Sequence, residues 1–362
     1  MKEKSALIAM SGGVDSSAAA CLMKEKGYEC VGVTMKLFAN EDVGEPKEKA
    51  CCSLSDVEDA RSVTTRIDIP YYVVNFSENF DKQVIEPFVR AYLEGRTPNP
   101  CIDCNRFLKF KRLYERGQEL DLNYIVTGHY VRLSYDEDRR RYVLRRAADR
   151  HKDQSYVLYF LTQEQLAHSK FPLGDLTKEQ VRAIAEKYGL RTAHKQESQD
   201  ICFVRSGSYA EFIEAYTGQS ALPGDIVTKD GRKVGRHKGL IRYTVGQRRG
   251  LGVAYSEPLF VCAKDLTANR LIVCTKEQLK IKRVTVGDIN WVALASPDKP
   301  FCCQVKLRYS AEPQEAEIVY DKESNSAVIE FASAQNGAAC GQAAVFYEDD
   351  LVLGGGTIIG AE

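Results

Sequence analysis

Two hydrophobic rhythms alternate along the first part of the chain. Short, almost wholly apolar runs at residues 5–10, 30–35, 71–76 and 124–128 are separated by segments, 53–61 and 107–120, in which apolar positions recur every three or four residues. The first pattern predicts strands buried on both faces and the second predicts amphipathic helices. Their alternation predicts a parallel sheet with helices on both sides. Ligands of such a sheet bind beyond the carboxyl ends of its strands, and Ser11, Met35 and Gly128 all fall there. After about residue 205 the rhythm changes. Pro223-Gly224, Asp230-Gly231 and Lys238-Gly239 punctuate short stretches, and 303–309, 316–320 and 327–331 read as antiparallel strands. The expected organisation is α/β: a parallel-sheet domain at 1–206, a small linking domain at 207–278, and an antiparallel β-barrel or sandwich at 279–362.

Composition narrows the classes open to such a chain. Its 50 basic and 50 acidic side chains cancel, so no global field draws it to nucleic acid, and any RNA contact must come from local patches. Twelve cysteines, with neither a signal peptide nor a long apolar span, predict a reducing, cytoplasmic setting and no membrane partner.

The segment behind the first predicted strand, Ser11-Gly12-Gly13-Val14-Asp15-Ser16-Ser17, has the makings of a phosphate cradle. Two glycines let the backbone turn tightly, while hydroxyls and the N–H groups of a helix start supply donors. It lacks the lysine of the Walker loop, so γ-phosphate chemistry is not implied. A plain strand-to-helix turn capped by Ser or Asp is the competing reading. Met35 reads equally well as ordinary core filler.

Cysteine supplies the second kind of chemistry. Cys101 and Cys104 form a C-x-x-C in the proline-punctuated stretch 99–105, ahead of a helix whose start would stabilise a thiolate. Half a zinc site, a redox pair and coincidence all fit that spacing, though no second C-x-x-C exists to complete a four-thiolate zinc ribbon. Cys202 stands among apolar neighbours and reads, taken alone, as a small buried hydrophobe. Cys51 and Cys52 open a predicted helix, and packing is their expected role. Two stretches concentrate positive charge, Arg139 to Lys152 and Lys229 to Arg249. Either is a solvated face or a phosphate-binding strip.

The loop at 11–17 resembles that of the PP-loop ATP pyrophosphatases, which cleave ATP between the α and β phosphates and attach AMP to a substrate oxygen. On the loop alone the substrate is open among citrulline, xanthosine monophosphate and a tRNA uridine. Residues 195–203, 99–105, 127–130, 152–156 and 243–248 together resemble the tRNA-specific 2-thiouridylases, in one order and over nearly the whole chain. That resemblance implies a Rossmann-like PP-loop domain that adenylates O2 of the wobble uridine (position 34) in the tRNAs for Lys, Glu and Gln, after which sulfur displaces AMP. It implies ATP contacts at Ala9, Met10, Ser11, Gly12, Gly13, Val14, Asp15, Ser16, Met35 and Gly128. Cys104 matches the nucleophile and Cys202 the cysteine that receives sulfur from a persulfide-carrying donor protein, the two forming a disulfide late in the cycle. Contacts to tRNA are implied at Asn99, Pro100, Cys101, His129, Lys152, Asp153, Gln154, Arg308, Tyr309 and Gln342. Magnesium is expected with ATP, with Asp15 as its nearest ligand, and a capping role for Asp15 is the alternative. Cys101 stands where many members carry Asp. Three thiols, Cys101, Cys104 and Cys202, therefore also admit a [4Fe-4S] cluster holding hydrosulfide. Other readings are a different PP-loop ligase or amidotransferase-type enzyme, for which Cys104 has no role, and a non-catalytic RNA-binding protein.

Overall fold

A computed structural model describes residues 2–38, 54–196, 201–204 and 208–362. The expected central sheet is present as β1 (Lys2–Ala9), β2 (Glu29–Lys36), β3 (Tyr71–Asn75), β4 (Leu122–Val126) and the two-residue β7 (Ser169–Lys170), all parallel, in the order β3-β2-β1-β4-β7. β1 is central because both its faces are apolar: Ala6, Leu7 and Ile8 are fully buried, and Ala6 lies between Cys30 and Tyr124 in register. The order reverses direction at β1 and β4, which opens the crevice that parallel sheets use for ligands. The 71–76 run, expected as a buried strand, is instead the sheet edge, with Tyr72 and Val73 largely exposed. β-branched and aromatic residues favour any pleated strand, so their presence does not separate edge from centre.

Helix α1 (Val14–Glu25) follows the loop, and its run Ala18-Ala19-Ala20-Cys21 is wholly buried between the sheet and the helix Lys178–Lys187. Small side chains permit that close approach. Helix α2 (Leu54–Arg66) covers the neighbouring strand, and Ser53, where this helix was expected to begin, lies outside the described residues with Cys51 and Cys52. Residues 100–119 form one continuous helix whose middle, Cys104–Arg112, is wound as a π-helix, a rare geometry that accompanies functional sites.

The linking part is a four-stranded sheet of β8 (Gly224–Thr228), β9 (Lys233–His237), β10 (Phe260–Asp265) and β11 (Arg270–Cys274), ordered β10-β11-β8-β9 around buried Ile226, Val261, Leu271 and Val273. Beyond it, β12 (Lys280–Trp291), β13 (Phe301–Lys306), β14 (Gln314–Asp321), β15 (Ser326–Asn336), β16 (Ala343–Glu348) and β17 (Leu351–Ala361) form an antiparallel barrel, closed by the pairing of β12 with β17.

A hairpin of the first domain, β5 (Val131–Asp136) and β6 (Arg141–Arg146), joins the barrel through Leu351 and Arg145. Much of the expected cationic strip is spent on this junction. Arg132 and Arg145 both bind the Asp350 carboxylate, at 2.6 and 2.8 Å, Arg139 reaches Glu348, and Arg141 donates to the carbonyls of Trp291 and Val292. Charge clustered in sequence thus serves domain docking here.

Candidate active site

The loop between β1 and α1 is shaped by two close backbone approaches. Gly12 has φ +71°, and a Cβ there would stand 2.4 Å from the Asp56 carbonyl oxygen. A Cβ on Gly128, after β4, would meet the backbone of Asp15 and Ser16 at 2.8 and 2.9 Å. The loop is therefore held between α2 and the β4 exit, with Gly13 at the helix N-cap offering no side chain to the first N–H groups. Ser16 and Ser17 turn their hydroxyls back to the Gly13 carbonyl at 3.1 and 2.8 Å, and Ser16 Oγ also accepts from the Ser11 N–H. The result is a concave, donor-rich start to a twelve-residue helix, suited to a phosphate. Ala9 and Met10 lead into it, and Met35 ends β2 on the same side, 8% exposed and packed in the core as its alternative reading had it.

Two lysines from distant segments reach this loop, and neither was singled out in the sequence. Lys178 Nζ lies 2.7 Å from Asp15 Oδ1, which also accepts from the Tyr130 hydroxyl at 2.7 Å. Lys195 Nζ donates to the Gly12 carbonyl at 3.1 Å and to Asp56 and Asp59 at 2.7 and 2.6 Å. Burial works against its charge, but the bonds to the two carboxylates outweigh that and raise its pKa above the usual lysine value. The ammonium group that a Walker loop would carry in its own sequence is thus brought in from elsewhere, each lysine paired here with the carboxylates of Asp15 or of Asp56 and Asp59. Of the alternatives weighed for Asp15, its Oδ1 shows hydrogen bonding to Lys178 and Tyr130 and no capping of α1.

The cysteine segment begins with Asn99, whose side chain accepts from the Cys101 N–H at 3.1 Å and caps the helix, with Pro100 at its first position. Cys101 is exposed, whereas Cys104 is half-buried at the start of the π-helical stretch. Cys202, also half-buried, packs with Cys104 against the one large core cluster that carries β2, and the next residue, Phe203, wedges between Phe80 and Phe88 with centroid distances of 5.8 and 5.1 Å. Residues 197–200, in the middle of the motif ending at Cys202, lie outside the described residues. Among the described residues no three His, Cys, Asp or Glu side chains are gathered around a common metal position. Cys101, Cys104 and Cys202 are therefore not arranged as a cluster cradle in this geometry. A carboxyl stands two positions beyond Cys101: burial lifts Asp103 to about 6 against the pull of Arg106.

The expected tRNA-contact residues divide into two groups. Arg308 and the half-exposed Tyr309 stand on the barrel surface, with Tyr309 edge-on to Tyr156 at 6.0 Å. Lys152 is half-buried in a turn after β6. By contrast, His129 is buried between Phe110 and Phe171, its Nδ1 2.7 Å from Thr127 Oγ1, and burial followed by repulsion from Lys109 pushes its pKa well down. A neutral, enclosed imidazole offers no charge to phosphate. The Gln154 side chain accepts from the Tyr130 N–H at 3.0 Å. Asp153, 5% exposed, accepts from the Ala147 and Ser155 N–H groups at 3.0 and 3.3 Å, from the Ser155 hydroxyl at 2.9 Å, and from Arg146 at 3.3 Å. Asp153→Ala leaves those buried donors unpaired and is expected to cost about 3 kcal/mol of folding stability. Urea unfolding measures this, and an unchanged midpoint would return Asp153 to a purely RNA-facing role.

The fold and loop define a HUP-type nucleotide-binding enzyme with two appended β domains. Residues 4–206 match the tRNA methyl transferase HUP domain, 210–275 the tRNA methyl transferase PRC-barrel domain, and 281–358 the aminomethyltransferase beta-barrel domain. The tRNA-specific 2-thiouridylase MnmA of Acetivibrio thermocellus is 44% identical over 99% of this chain and 100% of its own length. That of Moorella thermoacetica is 47% identical, over 97% of this chain and 98% of its own. A 4-thiouridine synthetase solved with RNA and ATP overlaps 55% of this chain and 45% of its own at 16% identity, with a TM-score of 0.37. The domain descriptions speak of methyl transfer, but the near-full-length curated relatives decide the family. The chain belongs to the tRNA-specific 2-thiouridylases.

Proposed function

We propose that this chain converts the wobble uridine of the Lys, Glu and Gln tRNAs to 2-thiouridine. The reading is carried by a phosphate-ready helix start in the same domain as two half-buried cysteines, from segments about a hundred residues apart, that pack against one core cluster. ATP lies with its α-phosphate at the start of α1, its contacts running from Ala9 to Ser16 with Met35 and Gly128. Uridine O2 attacks that phosphorus, pyrophosphate leaves, and the N3 proton is lost as the O-adenylate forms. Lys178 and Lys195 place positive charge beside the departing pyrophosphate. Asp15, whose Oδ1 is held by Lys178 and Tyr130, is the residue that would hold magnesium, and the metal would supply charge neutralisation to the pyrophosphate leaving group.

Sulfur reaches Cys202 as a persulfide from a donor protein. Its terminal sulfur attacks C2 and expels AMP. The Cys104 thiolate then attacks the Cys202 sulfur, leaving the outer sulfur on C2 and a Cys104–Cys202 disulfide that an external dithiol reduces. To meet these groups the base must leave the anticodon stack, with Asn99, Pro100 and Cys101 bordering it. Arg308 and Tyr309 suit the RNA by charge and stacking.

The test is mass spectrometry of tRNA nucleosides after incubation with ATP, magnesium and a sulfide or persulfide source, using protein shown to be free of iron. Formation of 2-thiouridine with AMP release is expected. Product only after anaerobic iron–sulfur reconstitution would replace the persulfide relay by the cluster route through Cys101, Cys104 and Cys202, and ATP turnover with no tRNA product would remove the thiolation reading.

A further inference from the structure

The seam between the C-terminal barrel and the cysteine-bearing loop is tied by reciprocal bonds. The Thr97 N–H donates to the Cys340 carbonyl at 2.8 Å, and Gln342 Nε2 donates back to the Thr97 carbonyl at 2.8 Å and to that of Pro98 at 3.4 Å. Gly341 lies so close that a Cβ there would stand 3.1 Å from the Thr97 backbone. The turn is itself pinned into the barrel, since Gly341 donates to the Ile358 carbonyl and Ile358 to that of Gln342, each at 2.8 Å. The two carbonyls that Gln342 grips immediately precede Asn99, the residue that caps the Cys101 N–H. A cleft of about 230 Å³ runs along the same seam, lined by Arg90, Arg96, Asn99, Asp103, Gly341 and Thr357.

The barrel segment leading to this turn also touches its outer surface. Arg308 donates to the carbonyls of Asn336 and Gly337, at 2.6 and 3.4 Å. Tyr156, which faces Tyr309, donates its hydroxyl to the Ala343 carbonyl at 2.8 Å. Residues 336–343 are thus held between the surface that carries Arg308 and Tyr309 and the backbone of 97–98.

From this we infer that Gln342 is a positioning residue: it fixes residues 97–98 to the barrel, so that the Asn99-capped turn presents Cys101 and Cys104 in the reactive arrangement only when the barrel is seated. The inference rests on the thiolation reading for its kinetic consequence but not for its structural one. It assigns the Gln342 amide to the protein's own loop in place of the RNA contact implied by the resemblance. An amide donor is required, because the groups gripped are carbonyl oxygens; a carboxylate in its place would repel them.

Gln342→Ala and Gln342→Glu, in the full-length protein, test it. The expected result is tRNA affinity within about twofold of the parent, with the rate of 2-thiouridine formation at saturating tRNA lowered by about tenfold to a hundredfold, the scale of a reacting group displaced by an ångström. Backbone amides of 97–104 should exchange hydrogen faster, and iodoacetamide should alkylate Cys104 at an altered rate, both without tRNA present. A loss of tRNA affinity with unchanged turnover and unchanged exchange would overturn the inference in favour of direct RNA contact. If the parent forms no 2-thiouridine, the proposed function fails, yet exchange at 97–104 still decides the latch. Unaltered exchange in both variants would end it.

Discussion

Cys104→Ser is expected to lower 2-thiouridine formation by a factor of about a thousand or more, while tRNA-dependent adenylation, seen as pyrophosphate release, persists. The two halves of the reaction use different atoms. Adenylation needs the loop at 11–17, the lysines beside it and the uridine oxygen, and no thiol is consumed in it. Sulfur release needs a thiolate that can break an S–S bond, and a serine hydroxyl at neutral pH does not exchange with disulfides. Cys202→Ser should give the same loss for the complementary reason, since no persulfide can be loaded. Cys302→Ser is the control, an exposed cysteine on β13 in the barrel, and should leave both halves intact. Pyrophosphate release reads the first half-reaction and nucleoside mass spectrometry the second. Normal 2-thiouridine in the Cys104→Ser enzyme would sink the two-thiol relay and bring forward a PP-loop enzyme of another kind.

What the sequence revealed, and what it hid, follows from the range of the forces involved. Strands β1, β2 and β4 were legible because burial on both faces leaves a run of apolar residues with no alternation. The loop at 11–17 was legible because phosphate binding by backbone demands glycine and hydroxyls at adjacent positions. The reach of Lys178 and Lys195 to the loop was not, because each crosses more than 160 residues, and even the 195–203 motif that Lys195 opens says nothing of where its ammonium goes. The role of the arginines around β5 and β6 was hidden for a related reason: they are close together in sequence, yet their partners, Glu348 and Asp350, lie about two hundred residues away on the barrel. The resemblance implies RNA contacts at Asp153 and His129, which the structure buries, and burial cannot be seen in a short motif. Polar residues at such positions serve a buried turn as readily as a ligand, and only the hydrogen-bond partners distinguish the two.

The second large effect is expected at Gly12. In Gly12→Ala the added Cβ meets main-chain atoms of Asp56 at 2.4, 2.7 and 2.9 Å, and backbone cannot move aside as the tip of a side chain can. The residue also sits at φ +71°, which costs an alanine about 1–2 kcal/mol by itself. Relief requires either the loop or the start of α2 to shift. Either motion separates the Gly12 carbonyl from Asp56 and Asp59, the three groups that Lys195 holds together. Both the N–H array and the lysine charge would then be misplaced, and ATP affinity should fall by about a hundredfold or more. Gly27→Ala separates strain from steric conflict: its φ is +75°, but nothing lies within 4 Å of the new Cβ. That variant should lose the same 1–2 kcal/mol of stability and keep its nucleotide affinity. Calorimetric titration with ATP alongside urea unfolding distinguishes the two effects, and equal ATP affinity in both variants would show that contact between α2 and the loop is dispensable for holding the nucleotide.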